Sequence, residues 1–265
     1  MDSTPRGSDA PLLFSVADGI ARLRFNRPAQ LNALDLATAQ AFDKATTAIA
    51  ADPTVRVVVL SGEGRGFGAG GDLAAFRGDP WGAAQAIMEP MHASVRRLTA
   101  LDAPVLASLH GVVAGGTMSL ALSCDLAIAA EGTKFNLAYV NIGASCDVSA
   151  SYNLPRLVGL RNALGIALLS ETFDASEAHR LGLVNKVVPA DRLAEETEAI
   201  ARKLAAGATK AMGRLKRLMR ESSGHDLATQ LDRERDAFRE GTGTEDFREG
   251  LDAFLSKRKP VFKGR

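Results

Sequence analysis

Two runs of glycine carry the first chemical signal in this chain. One is Gly66-Phe67-Gly68-Ala69-Gly70-Gly71-Asp72, the other His110-Gly111-Val112-Val113-Ala114-Gly115-Gly116-Thr117. A backbone without side chains can bring its N–H groups up to a ligand atom. Where a helix follows, the positive end of its dipole stands behind those groups. Two such donors on one oxygen suit enolate or tetrahedral chemistry at a thioester, because negative charge grows on that oxygen in the transition state. Each loop alone has a plainer explanation, in tight turns or close helix–strand packing. Gly66, Gly68 and Gly71 also spell G-x-G-x-x-G, but a hairpin and a helix precede it, and Asp72 stands where a phosphate-binding helix should open. It is the pair of loops that points to chemistry.

Among titratable residues, Asp147 stands out in Gly143-Ala-Ser-Cys-Asp147-Val-Ser-Ala-Ser-Tyr152. Its plain alternative is a loop residue capping Ser149 or Ala150. His92 falls in a helical stretch, where a helix-surface role competes. Tyr139 reads as a pocket wall, since an ordinary phenol stays protonated at neutral pH. His110 and His179 read as structural, and Asp125 as a cap or an ion-pair partner. Trp81, within the Gly- and Pro-bearing stretch 77–82, suggests a flap. Arg214, Lys216, Arg217 and Arg220 read as a solvated helix face, because no aromatics interleave them as nucleic-acid binding would want. Cys124 and Cys146 lack CxxC spacing, so a disulfide scaffold or zinc site is not expected and a reducing compartment is.

These groups need elements to position them. Leu12–Val16 and Ile20–Phe25 flank Asp18-Gly19 as a hairpin. Asp35 to Ala51 has helical spacing. Val55–Leu60 is a β-branched run suited to a strand buried on both faces, as is Val105–Leu109. Pro80–Ala100 reads as helix, broken or started at Pro90. Gly115 and Gly116 open an apolar helix to Ser123, and Leu126–Ala130 returns as strand. The alternation predicts an α/β core over residues 11–190. Beyond it, residues 191–265 read as charged, amphipathic helices, and residues 1–10 as a disordered lead-in. With 265 residues and a net charge of +1, a sizeable core is affordable and no overall field selects nucleic acid or membrane. No apolar run could span a bilayer and no signal peptide is evident, so the cytoplasm is the expected location.

The chain resembles the crotonase superfamily, the enoyl-CoA hydratase/isomerase family. The likeness rests on Asn26-Arg27-Pro28-x-x-Leu31-Asn32-Ala33-Leu34, Gly68-Ala69-Gly70-Gly71-Asp72-Leu73, Pro104 through Gly116, Leu154-Pro155-Arg156-Leu157-Val158-Gly159, and Glu249-Gly250 through Phe262. It implies a spiral of ββα units, a C-terminal helical trimerisation region, and a homotrimer or dimer of trimers. It implies an acyl-CoA thioester as substrate, with coenzyme A belonging to the substrate and no cofactor or metal besides. By that resemblance the N–H groups of Gly71 and Gly116 form an oxyanion hole. Ala29, Gln30, Leu31, Ala69, Asp72 and Leu73 line the CoA groove, and Tyr139 the acyl pocket.

The chain departs from the family at the two glutamates of hydratases, where Ser119 and Tyr139 stand. Asp147 is the nearest acid. Its surroundings resemble phenylacetyl-CoA-pathway isomerases, where such an aspartate moves a proton. They also resemble 4-chlorobenzoyl-CoA dehalogenases, where it is a nucleophile partnered by a histidine at the place of His92. The expectation is isomerase chemistry with Asp147 as acid/base. Hydration by an unusual acid, a dehalogenase-like reaction, and an acyl-CoA-binding homologue without turnover remain as alternatives.

Overall fold

The computed structural model describes residues 9–265; most of the expected lead-in, residues 1–8, lies outside them. Strands β1 (Leu12–Ala17) and β2 (Ile20–Phe25) pair antiparallel. Asp18 and Gly19 both take positive φ at the turn, the geometry that matches the twist of the flanking strands. Helix α1 (Leu36–Ala51) starts where the Asp35 carboxylate accepts the Thr38 N–H at 2.8 Å. Strand β3 (Val57–Gly62) follows, then α2 (Pro80–Ala100).

Helix α2 corrects one expectation. It runs unbroken through Pro90, starting at Pro80 behind an Asp79 cap. Proline at a first helical position costs nothing, since that N–H has no helical partner. The interior Pro90 is tolerated inside 21 residues of packed helix, and the Ser94 hydroxyl donates to the Pro90 carbonyl at 2.8 Å.

The centre of the chain repeats strand, short strand, helix. It comprises β4 (Val105–Leu109), β5 (Val112–Ala114) and α3 (Gly115–Ser123), then β6 (Leu126–Ala130), β7 (Lys134–Asn136) and α4 (Ala150–Leu169). After these come β8 (Phe173–Asp174), α5 (Ala175–Arg180) and β9 (Lys186–Val188). The first strand of each repeat enters a six-stranded sheet of order β1-β2-β3-β4-β6-β9, parallel except for the hairpin; the second enters a small sheet β5-β7-β8. The expected ββα spiral is therefore present.

The β-branched runs are buried on both faces of the large sheet. Val58 and Leu60 join the main core with Phe25, Phe42 and Phe67. Their neighbours Val57 and Val59 join Leu106, Ile128 and Val188 on the other face. Alternate residues of one strand thus serve two cores. Helix α6 (Leu193–Ala205) covers the second face through Leu193, Ala201 and Ala205.

Helices α7 (Thr209–Glu221), α8 (Leu227–Thr242) and α9 (Glu245–Leu255) complete the chain. The basic residues of α7 are not a solvated face. Lys216 Nζ lies 3.0 Å from Asp125 Oδ2, and Arg220 Nη2 lies 2.8 Å from Asp125 Oδ1. The Lys216 and Asp125 side chains are only 9% and 13% exposed. Asp125 is thus the clamp that ties α7 to the core. Among the described residues no helix is long and apolar enough to cross a membrane.

Candidate active site

The two glycine loops are laced together as a short ladder. Phe67 N–H donates to His110 C=O at 2.9 Å, Gly68 N–H to Val112 C=O at 3.0 Å, and Ala114 N–H to Gly68 C=O at 2.9 Å. The Thr117 hydroxyl donates to the Gly68 carbonyl at 2.6 Å. There is no room for side chains between them. A Cβ on Gly68 would run into the Thr117 side chain, and one on Gly70 would sit 3.4 Å from the Gly116 nitrogen. No α-helix follows the first loop; a 3-10 turn over Leu73–Phe76 does, capped by Asp72. That removes the helix N-terminus a dinucleotide site would need.

Gly71 thus follows a residue packed on the start of α3, where Gly116 lies: a Cβ on Gly70 would stand 3.3 Å from Gly115 Cα. Gly116 is the second residue of α3, so its N–H has no carbonyl one turn back. Neither N–H finds an acceptor among the described residues. A Cβ on Gly116 would lie 3.5 Å from Leu34 Cδ1, 3.8 Å from the Tyr139 hydroxyl and 3.9 Å from Val148 Cγ2. One on Gly71 would lie 3.5 Å from the Phe76 ring. Leu34, Tyr139 and Val148 thus lie beside Gly116, and Phe76 beside Gly71. Of these, only Tyr139 was singled out from sequence; Leu34 and Phe76 carry no chemical signature that could have marked them.

The structure brings Asp147 and His92 together. His92 Nε2 lies 2.5 Å from Asp147 Oδ1, with the side chains 40% and 24% exposed. The capping alternative for Asp147 concerns its backbone instead: its carbonyl accepts the Ala150 N–H at 3.2 Å. The residues after it, Val148 and Ser149, take φ of +50° and +70°. That region is strained for a β-branched residue and turns the chain sharply at the carboxylate. Ser119 Oγ and the Tyr139 hydroxyl lie 2.9 Å apart, and the Tyr139 hydroxyl donates to the Asp147 carbonyl at 3.3 Å. Burial pushes the Tyr139 phenol up to about 12, so it is neutral across the physiological range.

The groove candidates form two adjacent strips. Ala29 and Gln30 are exposed in a 3-10 turn, and Leu31 follows with φ of +48°. Ala69 N–H donates to Leu31 C=O at 2.9 Å, which sets residues 29–31 against residues 69–73. Arg27 ties the strips, reaching Asp72 at 3.0 Å and Asp35 at 3.2 Å. Asn32, 1% exposed, takes the Arg27 N–H at 2.8 Å and donates to the carbonyls of Glu63 and Gly66 at 2.9 and 2.8 Å. Leu73 is 55% and Trp81 81% exposed. A cavity of about 890 Å³ lies elsewhere, between α7, α8 and α9. It holds neither glycine loop nor Asp147, so size alone does not locate the chemistry.

Stacked ββα turns around two adjacent glycine loops define the crotonase class of α/β fold. The chain belongs to the enoyl-CoA hydratase/isomerase family, whose sequence profile matches residues 15–265. It is 36% identical over 258 residues to the 1,2-epoxyphenylacetyl-CoA isomerase of Escherichia coli (strain K12), covering 96% of this chain and 98% of that one. It is 34% identical over 261 residues to 4-chlorobenzoyl coenzyme A dehalogenase-1 of Arthrobacter sp, covering 94% and 92%. Among solved structures, a putative enoyl-CoA hydratase/isomerase from Mycobacterium abscessus superposes with a TM-score of 0.92 at 36% identity, covering 96% of this chain and all of that one.

Proposed function

We propose that this acyl-CoA enzyme is an isomerase that moves a proton along the acyl chain. The thioester oxygen is held by the N–H groups of Gly71 and Gly116. Asp147 takes a proton from carbon, the electron pair shifts toward the thioester oxygen as an enolate, and the same carboxyl returns the proton to another carbon. The two N–H donors stabilise the charge only as it forms, which lowers the barrier. His92 sets the orientation of the carboxylate. The observation that carries this reading is the Asp147–His92 contact at 2.5 Å in a turn whose next residue, Val148, comes within 3.9 Å of where a Cβ on Gly116 would stand. Residues 29–31 and 69–73 form the groove for coenzyme A.

A second reading has a specific support. The same His–Asp contact would suit attack of Asp147 on an aromatic ring with His92 activating the water that releases the product. The relative named as a dehalogenase motivates it.

The deciding experiment is a panel of enoyl-, 3-enoyl-, phenylacetyl- and 4-halobenzoyl-CoA esters, run on wild type and Asp147→Asn. Double-bond migration, or loss of α-deuterium, that falls at least about a hundredfold in the variant supports the isomerase, since that is the scale of a lost general base. Halide release that depends on Asp147 would favour the second reading. An unchanged rate in Asp147→Asn removes the residue from both.

For assembly we propose a homotrimer. Leu160, Leu164 and Leu168 form an exposed stripe along α4 beyond its kink at Gly159, between 47% and 67% accessible. The apolar groove between α7, α8 and α9 has Leu215, Met219 and Phe238 exposed on its walls. A ridge and a groove on one chain make a head-to-tail contact that can close into a ring.

A further inference from the structure

We propose that the hydroxyls of Ser119 and Tyr139 form a positioning relay that holds the Gly116 N–H and the Asp147 carboxylate in one register. The proposal rests on the reading of those two groups as the reacting ones.

One end of the relay acts on the donor. The Ser119 hydroxyl donates to Gly115 C=O at 3.2 Å. That carbonyl belongs to the same peptide unit as the Gly116 N–H. A donor on the oxygen polarises the peptide and strengthens its N–H. The other candidate donor is built alike: Leu34 N–H donates at 2.7 Å to Gly70 C=O, in the peptide that carries the Gly71 N–H. Each N–H is therefore backed by a hydrogen bond to its own carbonyl.

The other end acts on the acid. The Tyr139 hydroxyl reaches the Asp147 carbonyl at 3.3 Å, at the start of the left-handed Val148–Ser149 turn. A strained turn keeps its shape only when its surroundings hold it. In the middle the hydroxyls are 2.9 Å apart, with Ser119 fully buried.

Two hydroxyl protons serve these three contacts: with Ser119 donating to Gly115 C=O and Tyr139 to Asp147 C=O both ends are held, and two other arrangements link the hydroxyls and hold one end each. In one, Ser119 donates to Tyr139, and Tyr139 holds the Asp147 carbonyl. In the other, Tyr139 donates to Ser119, and Ser119 polarises the Gly115–Gly116 peptide. A swing of both O–H bonds exchanges them with no ionisation. The neutral phenol of Tyr139 suits that role and excludes it as a base. Sequence likeness marks these positions only as lacking glutamates; the distances show what the replacements do together.

The test is exchange of the α-proton of phenylacetyl-CoA into D2O, followed by NMR for wild type, Ser119→Ala, Tyr139→Phe, the double variant and Asp147→Asn. Each single variant should slow the maximal rate about tenfold, the scale of one lost neutral hydrogen bond. The half-saturating concentration should change less than about twofold, as expected when only transition-state stabilisation is lost. The double variant should be no slower than the worse single one, because one relay is broken once. Ser119→Ala should also shrink the absorbance red shift of bound cinnamoyl-CoA, which reports carbonyl polarisation. Additive losses, a weaker half-saturation matching the rate loss, or an unchanged red shift would overturn the relay. A wild type that exchanges no proton overturns it as well. Should Asp147→Asn exchange at the wild-type rate, the active-site reading itself falls. Should Asp147→Asn be inactive while Tyr139→Phe is normal, only the relay falls.

Discussion

Asp147 and His92 stand 55 residues apart in the chain and 2.5 Å apart in space. Nothing local in either segment announces the contact; each residue alone has a good structural explanation. The glycines differ in this respect, because their consequences follow from their missing side chains. Gly116→Ala should fold with an unchanged melting temperature. Its methyl would meet only ordinary contacts, at 3.5 to 3.9 Å, and Gly116 does not use positive φ. Yet that methyl enters the space beside the N–H, and turnover should drop about a hundredfold, the scale of a lost oxyanion donor. Gly68→Ala is the contrast. Its Cβ would collide with Thr117, and overpacking there should lower stability by about 1–3 kcal/mol. Thermal melts beside turnover measurements separate the two.

At the scale of elements, one set of contacts ties α7 to the core and another ties the last residues of the chain to α9. Asp125 receives Lys216 and Arg220 from α7 and also accepts the Val105 N–H at 2.8 Å. Burial lowers the Lys216 ammonium below its usual range, and Asp125 opposes that shift. Asp125→Ala leaves a buried cation unpaired, and urea unfolding should show a loss of about 3–5 kcal/mol. The second attachment is acid-sensitive. Glu249 accepts from Arg258 and from the Val261 N–H, which depress its carboxyl from 4.5 to about 2. A depressed folded value means the contact is fully present above about 4.5 and is lost as pH falls toward 2. The segment after α9 should loosen over that window, read as faster proteolysis near Val261 or a shift of its amide resonance. Glu249→Gln should loosen it already at neutral pH.

For the whole molecule, the proposed trimer would cover the exposed leucines of α4 and the apolar groove between α7, α8 and α9. Light scattering on the eluting protein should give three chains, or six if two rings stack. Leu164→Glu on α4 should shift the population to single chains while leaving α-proton exchange measurable in each. A wild type that elutes as a monomer would refute the assembly.

The chain's own pattern determined the layers. The unbroken apolar run Val57–Leu60 and the helical spacing in α1 are local properties, and burial of that strand on both faces and of one face of that helix follows from them. The paired glycine loops and the family likeness were also legible, because a missing side chain and a motif are written in order. Tertiary structure alone decided the rest. Helix α4 carries Pro155 in its interior, while Gly159, at φ +75° and ψ 157°, is non-helical and kinks it. The solvated face expected of α7 is a buried clamp because Asp125, 91 residues away from Lys216, faces it. The Asp147–His92 contact and the Ser119–Tyr139 relay likewise join residues far apart in sequence, and their partners exist only once the sheet and helices have crossed. Spacing along a chain encodes which face a residue occupies; which other face it meets is decided by the fold.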